Sequence, residues 1–513
     1  MTFFTLFIFP DVYGCEKGLQ DIISALSIHV ASLLCSIAAY RISPFHPLAW
    51  YPGPPLAKVT KFWGVWLSWT GTQHRVFLNL HRKHGPFVRT GPNELSVADI
   101  RAVTEVLGAS GLSKGEWYSA RQDPNAPRNL IVLTGEAHAN RRRLWNRGLS
   151  TESLREYEPV LSNRVKQFMV HLMAAAPVGS LDISQSIGYF TFDFMGDMVY
   201  LCPLHMLSNG GDESGFWDML NRFSVAASII SHIPWIFPIV QRVPFLSRDL
   251  KRLRKFGLEL AMGRMQRGAR MKDLWYHLSD EAHMEKKKPS ISDVIADGAL
   301  AVIAGADTTA GALTALVYFV LRNTECYHKL RDEVDRIYPR GTDATDITLH
   351  DRLVWMDACI NETLRLQPPV PTNGPRQVPY DGLGVNIAGC YVPPGTQVYL
   401  PPYSIHRDPR YFSPLPDTFL LSRWLQSQSE SSGNVTALNQ HGFIPFSHGP
   451  ANCVGRHLAR MEIKMVISEL IQKFDLQFAE EFDSGGWCDT IKDYLVTTRG
   501  PLLVNLKPRC SNL

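Results

Sequence analysis

The stretch from Ser292 to Arg322 constrains this chain more than any other. It reads SDVIADGALAVIAGADTTAGALTALVYFVLR and is apolar nearly all round. As a helix at ~1.5 Å per residue it would extend roughly 45 Å, enough to cross a whole domain. A helix without a polar face is buried along most of its length, so the rest of the fold must assemble around this one. Within it, AGADTT sets Asp307 beside Thr308, where a core helix gains nothing from an acid or a β-branched alcohol. Two readings follow. The threonine hydroxyl can bond back to a carbonyl three or four residues earlier and bend the helix. Alternatively, the hydroxyl faces a cavity and the carboxylate feeds it protons, with the small Ala304 and Gly305 leaving room for a ligand.

A second helix is expected over about Met356 to Leu366, ending before Pro368–Pro369 because a residue preceding proline is pushed out of the helical region. From Pro371 to Tyr403 short strand-like runs alternate with Gly and Pro turns, and helix returns from Val454 to about Phe474. The fold class is therefore mainly α with small β-sheets. At 513 residues the length alone would allow about three domains, but no internal repeat or long linker divides residues 59–513. In ETLR, Glu362 and Arg365 stand three apart and share a helix face. Exposed, such a pair is worth little. Buried with Arg423 of PDTFLLSRW, it would lock tertiary geometry.

At the N-terminus, Ile22 to Tyr40 contains no Asp, Glu, Lys or Arg. A helix of that length spans about 29 Å, close to a hydrocarbon core. A cleaved signal peptide wants a basic start, yet no Lys or Arg precedes Lys17. Acidic residues dominate before the stretch and Arg41, Lys58 and Lys61 follow it, so positive-inside bias places the bulk of the chain in the cytosol. The expected division is a short segment 1–21, a transmembrane anchor 22–40, a stiff proline-rich hinge 41–58 and a catalytic body 59–513. WYPGPPLAK within the hinge is expected to forbid helix. Phe3 to Pro10 could make a second interfacial contact. Residues 223–246, apolar but broken by Pro234, Pro238 and Pro244, read as either a packed loop or a membrane-dipping entrance, which leaves contact with membrane lipid open there. The glycosylation sequons at Asn361 and Asn434 would be idle in a cytosolic body. A net charge of +4 gives no case for nucleic acid.

Nine cysteines, an odd number with no CxxC pair, exclude a disulfide framework and a structural zinc site. Cys453 lies alone in IPFSHGPANCVGR, a loop punctuated by Gly449, Pro450 and Gly455. Of the readings open to such a thiol (half a disulfide, one zinc ligand, or a lone reactive or metal-binding thiolate), the last survives.

In this order, AGADTT (304–309), ETLR (362–365), PDTFLLSRW (416–424) and FSHGPANCVG (446–455) resemble the cytochrome P450 haem-thiolate monooxygenases. The likeness runs from the YPGPP hinge to the C-terminus. HRKHGPFVRTGPNELSV (81–97) and FTFDFMGDMVY (190–200) look most like membrane-anchored fungal enzymes of secondary metabolism. The resemblance implies the P450 fold, with the long central helix over haem and an N-terminal transmembrane helix. It makes Cys453 the proximal thiolate to the iron of heme b, pushing electron density onto it. Backbone N–H groups of the loop would tune that sulfur. Phe446 would pack near the haem, Gly449 would allow the tight turn, and Gly455 would let the next helix approach. Thr308 with Asp307 would deliver protons to the oxygen being cleaved. Glu362, Arg365 and Arg423 would form a structural triad, and Ala304, Val370, Thr372 and Val496 would line the substrate pocket.

One departure from the family pattern stands out. The usual arginine two residues before the cysteine is Ala451 here, so a haem propionate needs another partner. His138 and Arg142 of EAHANRRRLW, and Arg376 of GPRQ, are the candidates. Arg456, Arg460 and Lys464 recur every four residues on one helix face and would suit docking of an acidic flavoprotein. No dinucleotide fingerprint is present, so electrons from NADPH would come through a separate NADPH-cytochrome P450 reductase. The resemblance thus implies a single-pass protein of the endoplasmic reticulum membrane that oxidises a hydrophobic small molecule: a terpenoid, prenylated indole alkaloid or polyketide. The rivals are a haem-thiolate isomerase or dehydratase and a non-catalytic haem-binding protein. The acid–alcohol pair argues against both.

Overall fold

The computed structural model describes residues 15–119, 126–213, 215–425 and 438–509. Phe3–Pro10 and the sequon at Asn434 lie outside the described residues. The helices used below are α1 (Cys15–Ile42), α2 (Pro55–Val59), α3 (Gly135–Gly148), α4 (Ile183–Tyr200), α5 (Phe216–His232), α6 (Pro244–Arg267), α7 (Ile291–Arg322), α8 (Thr324–Ile337), α9 (Val354–Leu366) and α10 (Arg456–Lys473). Helix dominates, with small sheets between.

The long apolar run is α7. Ser290 caps it, its Oγ accepting from the Asp293 N–H at 3.2 Å, which satisfies one of the donors every helix start leaves open. By length and hydropathy alone α7 could cross a membrane, yet 72% of that window is buried inside the protein. It is the axis of the largest hydrophobic cluster, against which α4, α8, α9 and α10 pack. Two glycines allow α4 to come close. A Cβ at Gly298 would stand 2.5 Å from the Tyr200 hydroxyl, and one at Gly305 would stand 2.5 Å from Met195 Sδ.

A five-stranded sheet has the order β1 (Phe87–Gly91), β2 (Glu94–Val97), β5 (Gln397–Tyr399), β4 (Arg376–Gln377), β3 (Ser113–Lys114). Only β2 and β5 run parallel; every other neighbour pair is antiparallel. In the β3–β4 pair Lys114 is the register partner of Arg376. A separate hairpin joins β6 (Lys492–Tyr494) to β7 (Val496–Thr498).

Helix α1 starts before the predicted anchor, and its span Gln20–Ile42 has mean hydropathy 2.0 and no burial. The predicted hinge is neither extended nor wholly free of helix. Pro55 takes the first turn of α2, a position where proline loses nothing because its missing N–H would be unpaired anyway. The segment is also tied down. Arg41 Nη1 donates to Val59 O at 2.6 Å, Arg89 Nη1 donates to Arg41 O at 3.0 Å, and Leu48 is buried. Residues 223–246 are not a loop. They finish α5, break at Ile233, continue as short helices through Arg242 and open α6, with a 116° bend at the break. At the bend Trp235 and Ile239 are exposed.

Candidate active site

Phe446 to Gly455 forms the loop that presents the lone cysteine. The Cys453 N–H donates to Phe446 O at 2.8 Å and closes the loop on itself. Gly449 sits at φ +70°, and a Cβ there would fall 2.0 Å from Leu107 O. Both the backbone conformation and the close approach therefore require glycine. Gly455 is different from its expected role. An added Cβ would meet only Cys453 Sγ, at 4.0 Å, an ordinary contact, so no closely packed helix demands glycine there. The Gly455 N–H bonds the sulfur.

Cys453 is exposed, but to an internal cavity. Surrounding protein pushes its thiol pKa up, opposed by the Gly455 N–H and by the charges of Arg142 and Arg456. The same cavity is lined by Ala304, Thr308, Val370 and Phe446, with Met195 and Met198 from α4. Thr308 Oγ1 donates to Ala304 O at 2.7 Å. The back-bond of the first reading and the cavity-facing hydroxyl of the second thus coexist; the donor is engaged while the oxygen lone pairs stay available. Asp307 lies one residue earlier and faces the other way. It pairs with Arg499 at 3.6 Å and lines a second, polar cavity. Burial raises its pKa, with Arg499 pulling it down.

Two expected pocket residues are elsewhere. The Thr372 hydroxyl is spent on a hydrogen bond to Asp493, and Val496 is in β7, paired with Tyr494; neither lines the cavity. In their place stand Met195, Met198 and Asn373, which carry no local sequence signal for a pocket.

The residues proposed to replace an arginine at Ala451 divide sharply. Arg142 is consumed by the cysteine loop, donating to Asn452 O at 2.6 Å, Pro450 O at 3.3 Å and Asn452 Oδ1 at 2.7 Å, and to Asn146 Oδ1 at 2.9 Å. It clamps the loop. Arg376 is buried with its Nε lacking any partner among the described residues. Opposite it, Lys114 donates to Leu130 O and Leu133 O, both at 3.1 Å. Directly opposed like charges destabilise a strand pair. Burial, Arg376 and Arg142 push the Lys114 pKa down to about 7, and burial with the same three cations holds His138 at about 4. This cluster of cations, with no carboxylate paired to Lys114 or Arg376 among the described residues, fits an anionic group. Lys114 went unnoticed in the sequence because only sheet register brings it to Arg376.

Glu362, Arg365 and Arg423 have fully buried side chains. Arg365 donates to both Glu362 oxygens at 2.7 and 2.8 Å, and Arg423 Nε lies 3.4 Å from Glu362 Oε1. Arg365 also binds His406 O at 2.7 Å, Pro416 O at 2.5 Å and Thr418 O at 3.0 Å. The acid further accepts from the Leu420 N–H at 2.8 Å and from Trp424 Nε1 at 2.9 Å. One buried carboxylate thereby ties α9 to the segment leading into the cysteine loop.

The basic stripe does not survive as a docking face. Lys464 is buried, donating to His350 O at 2.9 Å and Asp357 Oδ2 at 2.8 Å, and Arg460 is held by Asn361 Oδ1 at 2.5 Å. Only Arg456 is exposed. The helix continues straight into the core, so a four-residue repeat that starts at the surface runs inward.

Among the described residues no group of three His, Cys, Asp or Glu gathers to chelate an ion. A metal held by Cys453 must bring its other ligands with it, as a macrocycle does. An apolar cavity, one thiol and an unneutralised pair of cations together suit haem.

A family profile described as Cytochrome P450 matches residues 52–485. Among curated proteins, a cytochrome P450 monooxygenase of Eupenicillium brefeldianum, orf5, is 31% identical, covering 97% of this chain and 98% of its own length. Cytochrome P450 67 of Uromyces fabae is 30% identical over 93% of this chain and 89% of that protein. Tryprostatin B 6-hydroxylase of Aspergillus fumigatus is 29% identical over 94% and 85%.

Proposed function

The chain belongs to the cytochrome P450 family, and on that premise we propose that it is a membrane-anchored monooxygenase acting on a hydrophobic secondary metabolite. One atom of dioxygen enters the substrate and the other leaves as water. Electrons come from NADPH through a separate reductase, and the α1 anchor holds the catalytic body (59–513) on the cytosolic face of the endoplasmic reticulum. The observation that carries this reading is one apolar cavity lined by both Cys453 and Thr308. Haem supplies the iron at which dioxygen is activated. Cys453 would hold that iron through its sulfur, with the Gly455 N–H tempering the donor.

Arg376 and Lys114, with neutral His138 beside them, would take the propionates. Thr308 would orient water through its free lone pairs, and Asp307 would renew the protons. Glu362, Arg365 and Arg423 touch no reacting group and serve as scaffold. Methionine, alanine and proline side chains of the cavity favour a terpenoid, prenylated indole alkaloid or polyketide. The relative named for hydroxylating tryprostatin B supports hydroxylation as the reaction.

The proton role is tested by Thr308→Ala. General acid–base groups contribute about 10²–10⁴-fold, whereas a lost back-bond on a helix costs little. The variant is expected to keep its fold and haem and to consume NADPH, while the ratio of product formed to NADPH oxidised falls about a hundredfold, the lower end of that range. Hydrogen peroxide takes the place of product. An unchanged ratio would leave Thr308 as a helix bend only.

A pH dependence follows from Lys114. Free of an anion its pKa is depressed to about 7, and a propionate beside it raises that value again. Binding haem above pH 7 therefore takes up a proton. Haem affinity should be full below pH 7 and decline as pH rises through the raised value, and Lys114→Met should flatten the profile. Haem transfer to apomyoglobin, timed from about one unit below to about two units above the shifted value, measures this. Equal profiles for both proteins would remove Lys114 from the site.

A further inference from the structure

Asp307 is the acid of the distal pair, yet its carboxylate does not face the cavity that holds Thr308. It borders a polar cavity of about 390 Å³ on the other side of α7, walled by Asp182, Gln185, Tyr189, Asp218 and Asn221. At ~30 Å³ per water this space holds on the order of ten waters. Arg499, at the end of the β6–β7 hairpin, closes the inner end. Its side chain is 6% exposed and that of Asp307 13% exposed, and the pair stands 3.6 Å apart. Arg499 is also fixed from two other elements: its Nε donates to Ser184 Oγ at 3.0 Å on α4 and to Thr314 Oγ1 at 3.2 Å on α7.

A carboxylate this buried would take up a proton and keep it unless a cation opposed the desolvation. Arginine stays charged and cannot compete for that proton. The geometry thus has a polar approach roomy enough for water, an acid at its inner end and a fixed charge that can hold the acid ionised between deliveries. We propose that Arg499 is a positioning residue for Asp307, keeping its carboxylate ionised and turned to the polar cavity so that protons enter from that side. The step balances simply: Asp307 accepts a proton from cavity water, passes it to water on the Thr308 side, and returns to the carboxylate. The inference rests on the reading that Asp307 and Thr308 supply the protons.

The test uses the full-length holoenzyme with a reductase and NADPH, without substrate, and has two readouts. The first is the fraction of consumed dioxygen released as hydrogen peroxide. The second needs no turnover: the infrared carboxyl band of Asp307, identified as the band lost in Asp307→Asn. Arg499→Gln is expected to move that band from the ionised to the protonated position and to raise the peroxide fraction severalfold, and Arg499→Lys to restore both. Gln185→Trp, at the cavity wall and outside the pair, should raise the peroxide fraction and leave the band in place. If Arg499→Gln lowers only thermal stability while band and peroxide fraction stay unchanged, Arg499 is a brace between α4 and α7 and the proposal fails. An unmoved peroxide fraction in Gln185→Trp would overturn the entry route. If Asp307→Asn itself leaves the fraction unchanged, the proton reading beneath fails instead, so the two failures are distinct.

Discussion

Cys453→Ser is expected to abolish the strongly red-shifted Soret band of the reduced carbon monoxide complex and, with it, monooxygenation. Serine keeps the shape of the loop. The backbone bond from residue 453 to Phe446 O at 2.8 Å uses no side chain, and Gly449, which the turn requires, is untouched. What changes is the donor. A thiolate gives iron far more electron density than a hydroxyl, and the loop's N–H and nearby guanidinium charges are arranged for sulfur. The fold should therefore survive, by circular dichroism and melting temperature, while the spectrum does not. Persistence of the band in the mutant would place the iron on another ligand and remove the basis for the assigned chemistry.

Glu362→Ala has the opposite signature, since it should cost the fold. The acid is the shared partner of Arg365 and Arg423, whose side chains are as inaccessible as its own. Removing it leaves two buried guanidinium groups without a counter-charge. Breaking a buried pair from one side costs about 3–5 kcal/mol, a large part of a typical total of roughly 5–15 kcal/mol. Leu420 N–H and Trp424 Nε1 also lose their acceptor. Because these groups join α9 to the chain entering the cysteine loop, haem retention should fail along with stability. The expected result is little or no haem-containing protein. Glu362→Gln, which keeps acceptors for the N–H groups but drops the charge, should be intermediate. A melting temperature of Glu362→Ala within about 2 °C of wild type, a shift well under that expected from 3–5 kcal/mol, would show that the triad carries no such load.

Several features were readable without coordinates because they depend on spacing within a turn or two of one helix or loop. The apolar periodicity of 292–322 declares a buried helix; Glu362 and Arg365 at i, i+3 must share a face; Gly449 and Pro450 around a lone thiol mark a loop shaped for one ligand. The limit of such reasoning shows in Arg456, Arg460 and Lys464. The four-residue repeat does put them on one face, but whether that face meets water depends on what lies beside it, and Asp357 and His350 O take Lys464 inward.

Local pattern thus determined the class of the fold, singled out the lone cysteine of its loop and placed the acid–alcohol pair on the central helix. Tertiary structure decided which cations meet. Lys114 faces Arg376 through strand register, Arg142 turns to the loop carbonyls, and Asp307 finds Arg499 from a distant hairpin. It also decided that α7 is core and α1 is not: both are apolar enough to span a bilayer, and only the first has neighbours to bury it. The physical reason is the same in each case. Helix periodicity and turn chemistry are set by residues a few positions apart, whereas burial and charge pairing are set by whichever segment packs alongside, and that segment can come from anywhere in the chain.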